Sequence, residues 1–224
     1  MGPVPGAREE LDRLGHALRA QLVDLIDDLA PGSDLSPLHL AEPEVFDWHD
    51  PLRYRYSVGC FTGMRPANVT AADAASRAAA LLGSAGWAVA TSREEVGGTV
   101  RTVAIGRRHG CGIEVRAVDH MTTLWFSGQT PAMALYEPEE FQHPEPLLTP
   151  ETVTPGYVLC YECDGLGWCH DCGGRGWRPD EARGRVNCPA CHRRRVCVIC
   201  RGAAELAVTD LSPYQRGYYP ELGR

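Results

Sequence analysis

Lysine is absent from the 224 residues, and all 22 basic side chains are arginine. That absence excludes Schiff-base chemistry, a Walker-type phosphate loop and a kinase-type anchoring lysine together. An arginine-only basic set is what a GC-rich bacterial genome encodes, so a bacterial source is expected. No apolar run approaches the ~20 residues of a membrane span, and no membrane partner is expected. The opening Met1-Gly2-Pro3-Val4-Pro5-Gly6-Ala7 lacks the basic start and apolar stretch of a secretory signal. Without a Ser or Thr at position 6 it is not a myristoylation signal either, so the expected compartment is the cytosol. No Ser/His/Asp order, glycine-rich phosphate loop or carboxylate pair stands out in the N-terminal part. No catalytic residue and no organic cofactor are therefore expected.

What is present suffices for a buried core: 44% of residues are apolar and 23% charged. From about Arg8 to Ala30, Leu11, Leu14, Leu18, Leu22, Leu25, Ile26 and Leu29 recur at helical spacing. Gln21 and Asp28 break a strict heptad, which favours a core-facing helix over a self-pairing one. Residues 31–51, with four prolines, read as an irregular wrap, and Arg53–Phe61 alternates as one strand. Thr70 and Asp73 form a capping-box pattern that starts a second helix, stopped near Gly86. Asn68-Val69-Thr70 matches a glycosylation sequon, but a helix cap explains it. Strands at Trp87–Glu94, Thr99–Arg107 and Cys111–Val118 follow, with Thr122–Ser127 as an added edge. The expectation is an α+β domain over 1–130, followed by a small zinc-stabilised β-hairpin module. Six prolines between 131 and 155 mark 131–156 as a semi-rigid linker. The cysteine-rich module spans 157–202, and the tail at 203–224, with Tyr214, Tyr218 and Tyr219, has no readable role.

Cys60 and Cys111 stand alone on expected strands as core thiols, able to pair only if those strands are adjacent. The other eight of ten cysteines form Cys160/Cys163, Cys169/Cys172, Cys188/Cys191 and Cys197/Cys200, inside 41 residues. A C-x-x-C knuckle presents two thiolates to one metal, so two knuckles complete a tetrahedral site and eight cysteines make two four-sulfur zinc sites. No ferredoxin-type spacing occurs, which favours zinc over iron. All four coordination positions are then protein sulfur, so the two zinc ions are structural. His170 and His192 sit beside knuckle cysteines and read as exposed turn residues rather than substitute ligands.

Cys160-Tyr-Glu-Cys163-Asp-Gly165-Leu-Gly167 and Cys169-His-Asp-Cys172-Gly-Gly174-Arg-Gly176 are full C-x-x-C-x-G-x-G repeats. In them the chain resembles the cysteine-rich zinc module of DnaJ-type chaperones, over about 45 residues. The third repeat has lost both glycines, the fourth keeps only Gly202, and no J domain is present. Stimulation of an ATP-driven partner is therefore not implied. The resemblance implies nested pairing: Cys160, Cys163, Cys197 and Cys200 in one site, Cys169, Cys172, Cys188 and Cys191 in the other. The six-residue steps from Cys163 to Cys169 and from Cys191 to Cys197 agree, advancing both arms equally by about 20 Å. Pairing of adjacent knuckles stays open, because Gly165 and Gly167 permit a fold-back within five residues.

The resemblance implies a non-enzymatic, chaperone-like interaction protein whose module presents a protein- or client-binding surface. Two alternatives compete. Thiol–disulfide exchange uses C-x-x-C pairs, but here no pair has the strand–helix context of a thioredoxin. Nucleic-acid binding draws on Arg193, Arg194 and Arg195 near Trp168 and Trp177. Residues 157–202 hold eight arginines against five acids, +3, which two zinc–thiolate sites at −4 in total bring to about −1. The arginines can thus serve as partners of the thiolates. The oligomeric state is not legible.

Overall fold

The leucine stripe of the N-terminal segment forms helix α1 (Ala7–Leu29), with Leu11, Leu14, Leu18, Leu22, Leu25, Ile26 and Leu29 all buried. The computed structural model describes residues 2–40, 42–138 and 140–223, with backbone alone at Cys60 and Val96. Packing divides the chain into two units, Met1–Pro138 and Glu139–Arg224. The molecule is a mixture of helix and mostly antiparallel sheet. Among the described residues no helix is long and apolar enough to cross a membrane.

In the first unit β1 (Glu44–Asp47), β2 (Arg53–Arg55) and β3 (Ser57–Met64) precede α2 (Ala71–Ser84). Strands β4 (Ala88–Val96), β5 (Thr99–Arg108), β6 (Cys111–Val118), β7 (Thr123–Gln129) and β8 (Met133–Ala134) follow. The main sheet is antiparallel in the order β3-β7-β6-β5-β4, and β1-β2-β8 form a second, three-stranded sheet. Both helices pack on the main sheet, where Leu18, Leu22 and Ile26 of α1 and Ala74, Ala78 and Leu82 of α2 meet Ile113, Val115, Leu124 and Phe126. Alternation along β6 buries Ile113, Val115 and Ala117 and leaves Glu114 and Arg116 partly exposed. Thr70 caps α2 through a capping box with Asp73. The two polar residues that interrupt the α1 stripe have partners: Gln21 accepts from the Trp87 indole at 3.2 Å, and Asp28 pairs with Arg77 of α2.

Three sequence expectations change. Arg53–Phe61 is two strands in two sheets, because the buried Tyr56 turns into α1, donating to Asp12 Oδ1 at 2.5 Å, between them. Part of the expected irregular wrap is β1, paired with β2 across a register shift. The expected edge, β7, lies inside the sheet between β3 and β6, since the early strand β3 returns to pair with it. That placement also separates the strands of Cys60 and Cys111. Cys111 is a buried free thiol, and the side chain of Cys60 lies outside the described residues. Residues 133–136, inside the stretch read as linker, pair with β2 and, at Tyr136, with Pro3.

In the second unit β9 (Tyr157–Leu159) pairs antiparallel with β12 (Glu205–Ala207), closing one end. β10 (Trp177–Asp180) and β11 (Gly184–Asn187) form an antiparallel hairpin at the other. The four knuckles lie between these two ladders, and a short helix, α3 (Pro213–Arg216), follows them.

Candidate metal centre

Each knuckle is built by the same local turn. The carbonyl of its second cysteine accepts the N–H three residues on: Leu166 to Cys163, Arg175 to Cys172, Arg194 to Cys191 and Ala203 to Cys200, at 2.9–3.1 Å. One residue further, the N–H points back at sulfur. Gly167 donates to Cys163 Sγ at 3.4 Å, Gly176 to Cys172 Sγ at 3.2 Å and Ala204 to Cys200 Sγ at 3.3 Å. Such bonds favour a thiolate over a thiol.

To make this turn, the first, second and fourth residues after the second cysteine take positive φ in all four repeats. In the first two repeats Gly165, Gly167, Gly174 and Gly176 fill the second and fourth positions. The two degenerate repeats keep the conformation without the glycines: Arg193 has φ 68°, Arg195 φ 70° and Ala204 φ 68°. The lost glycines therefore did not change the turn.

The fourth residue also ties repeats together. The Cys160 N–H donates to the Ala204 carbonyl and the Cys197 N–H to the Gly167 carbonyl, both at 2.9 Å. Likewise the Cys169 N–H donates to Arg195 at 2.8 Å and the Cys188 N–H to Gly176 at 3.1 Å. These reciprocal bonds join repeat one to four and repeat two to three. The sulfurs follow: Cys160, Cys163, Cys197 and Cys200 form one buried group, and Cys169, Cys172, Cys188 and Cys191 another, all ligand atoms in each within 4.8 Å of one another. The grouping is nested, and adjacent knuckles do not share a group.

The spacing within each group fits a metal. Cys160 and Cys197 sulfurs stand 3.8 Å apart, Cys163 and Cys200 3.7 Å, and both Cys169–Cys188 and Cys172–Cys191 3.8 Å. A disulfide needs about 2.05 Å. A tetrahedron with zinc–sulfur bonds of about 2.3 Å has edges of about 3.8 Å. Burial pushes the Cys160 thiol up to about 11, with the neighbouring Cys197 adding to the shift, and the Cys169 thiol up to about 12. Buried acids crowded this way resist ionising together until a cation is placed among them. Each group could hold one zinc ion. His170 lies outside both groups, half-exposed beside Asp171 at 3.0 Å.

Two features around the groups are not evident in the sequence. Tyr219 in the tail donates to the Leu159 carbonyl at 2.6 Å and accepts the Tyr161 N–H at 3.0 Å, while Tyr218 stacks on Tyr161. The tail is thereby fixed beside the outer cysteine group, and its only signal was the clustering of tyrosines. Second, residues 141–148, inside the proline-rich stretch, run over the glycine loops of repeats one and two. Leu148 N–H donates to the Gly165 carbonyl at 3.0 Å, and Arg175 lies 3.9 Å over the Phe141 ring. A Cβ on Gly165 would stand 2.1 Å from the Leu148 carbonyl oxygen, and one on Gly173 2.3 Å from the Phe141 ring. An aromatic residue and two leucines among prolines were the readable sign.

Comparison with family models, with curated proteins and with solved structures returns no match. The likeness to the DnaJ-type module rests on the repeats alone.

Proposed function

We propose that the chain is a zinc-ordered, non-enzymatic interaction protein whose cysteine-rich unit presents a polypeptide-binding surface. Two sulfur tetrahedra with every corner supplied by a buried cysteine support a structural role for the metal, because they leave no position for a reacting water or substrate. When bound, zinc supplies cross-linking and charge neutralisation of eight thiolates. The chain's residues do the rest, the knuckle N–H groups steadying the sulfurs and the fourth-position carbonyls locking the repeats. Thiol–disulfide exchange is disfavoured by the same grouping. Each cysteine faces its partner repeat at ligand spacing, with no pair set apart as an exposed nucleophile.

The observation that favours a polypeptide partner is the strap at 141–148. The glycine face of repeats one and two already takes an extended segment, through Phe141, Leu147 and Leu148. It does so with one backbone hydrogen bond to the knuckles, a hold weak enough to exchange. The reading places the chain in a reducing compartment, the cytosol, where its thiols stay available to metal. Native mass spectrometry of the full chain should show two zinc ions. A labelled peptide of residues 140–150 should bind the Phe141→Ala/Leu148→Ala variant in trans. One zinc or none would defeat the metal reading. No peptide binding by a fully zinc-loaded variant would defeat the surface.

A further inference from the structure

The inner end of the second unit carries a charge that the metal sites do not consume. Residues 169–195 hold seven arginines against three acids, +4, and a four-thiolate zinc site at −2 leaves +2. The remainder of 157–202 holds Arg201 against Glu162 and Asp164, −1, and its own site brings it to −3. The unit is therefore polarised, with its positive end at the hairpin. The arginines there differ in what they do. Arg175 lies over Phe141 and Trp177, Arg185 over the Trp177 ring at 4.2 Å, Arg178 reaches Asp171 and Arg183 pairs with Asp180. Arg193, Arg194 and Arg195 are exposed and make no ion pair with any described residue.

Their backbone carries a cost as well, one shared with Asp164, His192, Arg201 and Ala204. Arg193 and Arg195 occupy the two positions that repeats one and two give to glycine, at φ 68° and 70°. A left-handed conformation disfavours an L side chain by roughly 1–2 kcal/mol. Neither side chain recovers that through an ion pair within the unit, and three adjacent guanidiniums repel one another. An exposed turn of three guanidiniums that no described carboxylate neutralises points to a ligand that supplies negative charge.

We propose that Arg193, Arg194 and Arg195 form a binding site for the phosphate backbone of single-stranded nucleic acid. Guanidinium forks match phosphate oxygens bidentately. Arg193 and Arg195 are at most about 7 Å apart along the chain, a spacing that successive phosphates of an extended strand can follow. An acidic protein segment offers charge as well, but protein interfaces draw their energy from buried apolar and aromatic anchors. Beside these arginines Trp168 is partly buried, Trp177 lies under the Arg175 and Arg185 guanidiniums, and the exposed Val198 is a small anchor for such an interface. Phosphate binding needs only charge, because it is driven by counterion release. A duplex lying along the unit is disfavoured by the −3 of its other part, so the occupant is a flexible strand touching the arginines alone. This site does not depend on the strap surface proposed above.

The test is fluorescence anisotropy of a labelled oligouridylate with the zinc-loaded full chain across a salt series. Three phosphate contacts predict a log–log salt slope of about −2. Arg193→Gly/Arg195→Gly restores the residues that fit this turn, so its zinc content, checked by native mass spectrometry, should stay at two. Its affinity at low salt should fall about tenfold or more, with the slope reduced by about 1.4. Arg194→Glu, at a position with no positive φ, gives the same reading if the glycine variant loses zinc. Absence of binding at low salt, or affinity unchanged in the zinc-loaded variants, overturns the site. Equal binding of polyglutamate, competing with the oligonucleotide, also overturns it, in favour of an acidic protein partner. Failure of zinc loading itself would show separately as metal content.

Discussion

Arg193 and Arg195 show how a side chain can be kept where the backbone asks for none. Both hold the turn that glycine makes at the same positions of repeats one and two, and the N–H of Cys169 bonds to the Arg195 carbonyl as that of Cys188 does to Gly176. Replacing either arginine by glycine removes a left-handed conformational penalty but adds freedom to the unfolded chain, so each should stabilise the unit by about 0.5–1 kcal/mol. Thermal melting at fixed zinc should show the rise, and a fall would mean the side chains are held by contacts within the fold. Gly165→Ala should go the other way. Its φ of 79° is kept, and the new Cβ meets the Leu148 carbonyl oxygen at 2.1 Å, so the strap must lift. Limited proteolysis within 141–150 should then accelerate while the zinc content stays at two. These two substitutions separate the two reasons for glycine in a knuckle, which the repeat pattern alone merges.

Among the elements, α1 was legible because its apolar residues follow one period over 23 residues, and nothing tertiary had to be known to place them inward. The strand order was not, because the position of β7 depends on β3, more than 60 residues earlier, and alternation does not say which strand is a neighbour. The Arg53–Phe61 run misled for a related reason: its two-residue period continues through Tyr56 while its hydrogen-bonding partners change. Tyr56 also sets a limit on α1. A Cβ at Gly15 would lie 2.6 Å from the Tyr56 ring, so Gly15→Ala should destabilise the first unit by about 1–3 kcal/mol despite alanine's better helix propensity. Urea unfolding of the first unit measures it, and Gly15→Ala/Tyr56→Leu should recover part of the loss. The α1–α2 contact has a pH signature. Hydrogen bonding to Arg77 holds the Asp28 carboxyl below the usual range, so its contribution is present above the ordinary aspartate pKa and lost as pH falls through the depressed value. With Arg77 largely in solvent the effect is small. Asp28→Asn should flatten stability below about pH 4 and be nearly neutral in slope above it.

At the scale of the whole chain, the candidate site was more legible than the fold that surrounds it. Four C-x-x-C pairs name the cysteines that the structure gathers, and equal steps between knuckles are compatible with a nested arrangement; the strap and the tyrosine clasp rest on side-chain contacts that no local pattern encodes. What selects nesting in the structure is the exchange of hydrogen bonds between first-cysteine N–H groups and fourth-position carbonyls of the partner repeat, which adjacent knuckles do not make. It follows that the two sites should fail differently. The outer group is backed by the β9–β12 ladder and by Tyr219, and the inner group by the β10–β11 hairpin, so each has local structure to survive on. Cys160→Ser and Cys197→Ser should damage one site, alone or together, leaving one zinc ion and a protease-resistant segment near 169–195. Cys169→Ser with Cys188→Ser should also leave one zinc ion, now with cleavage near the hairpin. Cys160→Ser with Cys169→Ser should leave none, because each substitution removes a corner from a different tetrahedron. Native mass spectrometry of the three double variants decides it. One zinc ion retained by Cys160→Ser/Cys169→Ser, together with none in Cys160→Ser/Cys197→Ser, would mean that adjacent knuckles share a metal and that the reciprocal hydrogen bonds do not set the pairing. In every variant the melting of the first unit should be unchanged, since its core is built from residues 7–135 and uses none of the eight ligand cysteines.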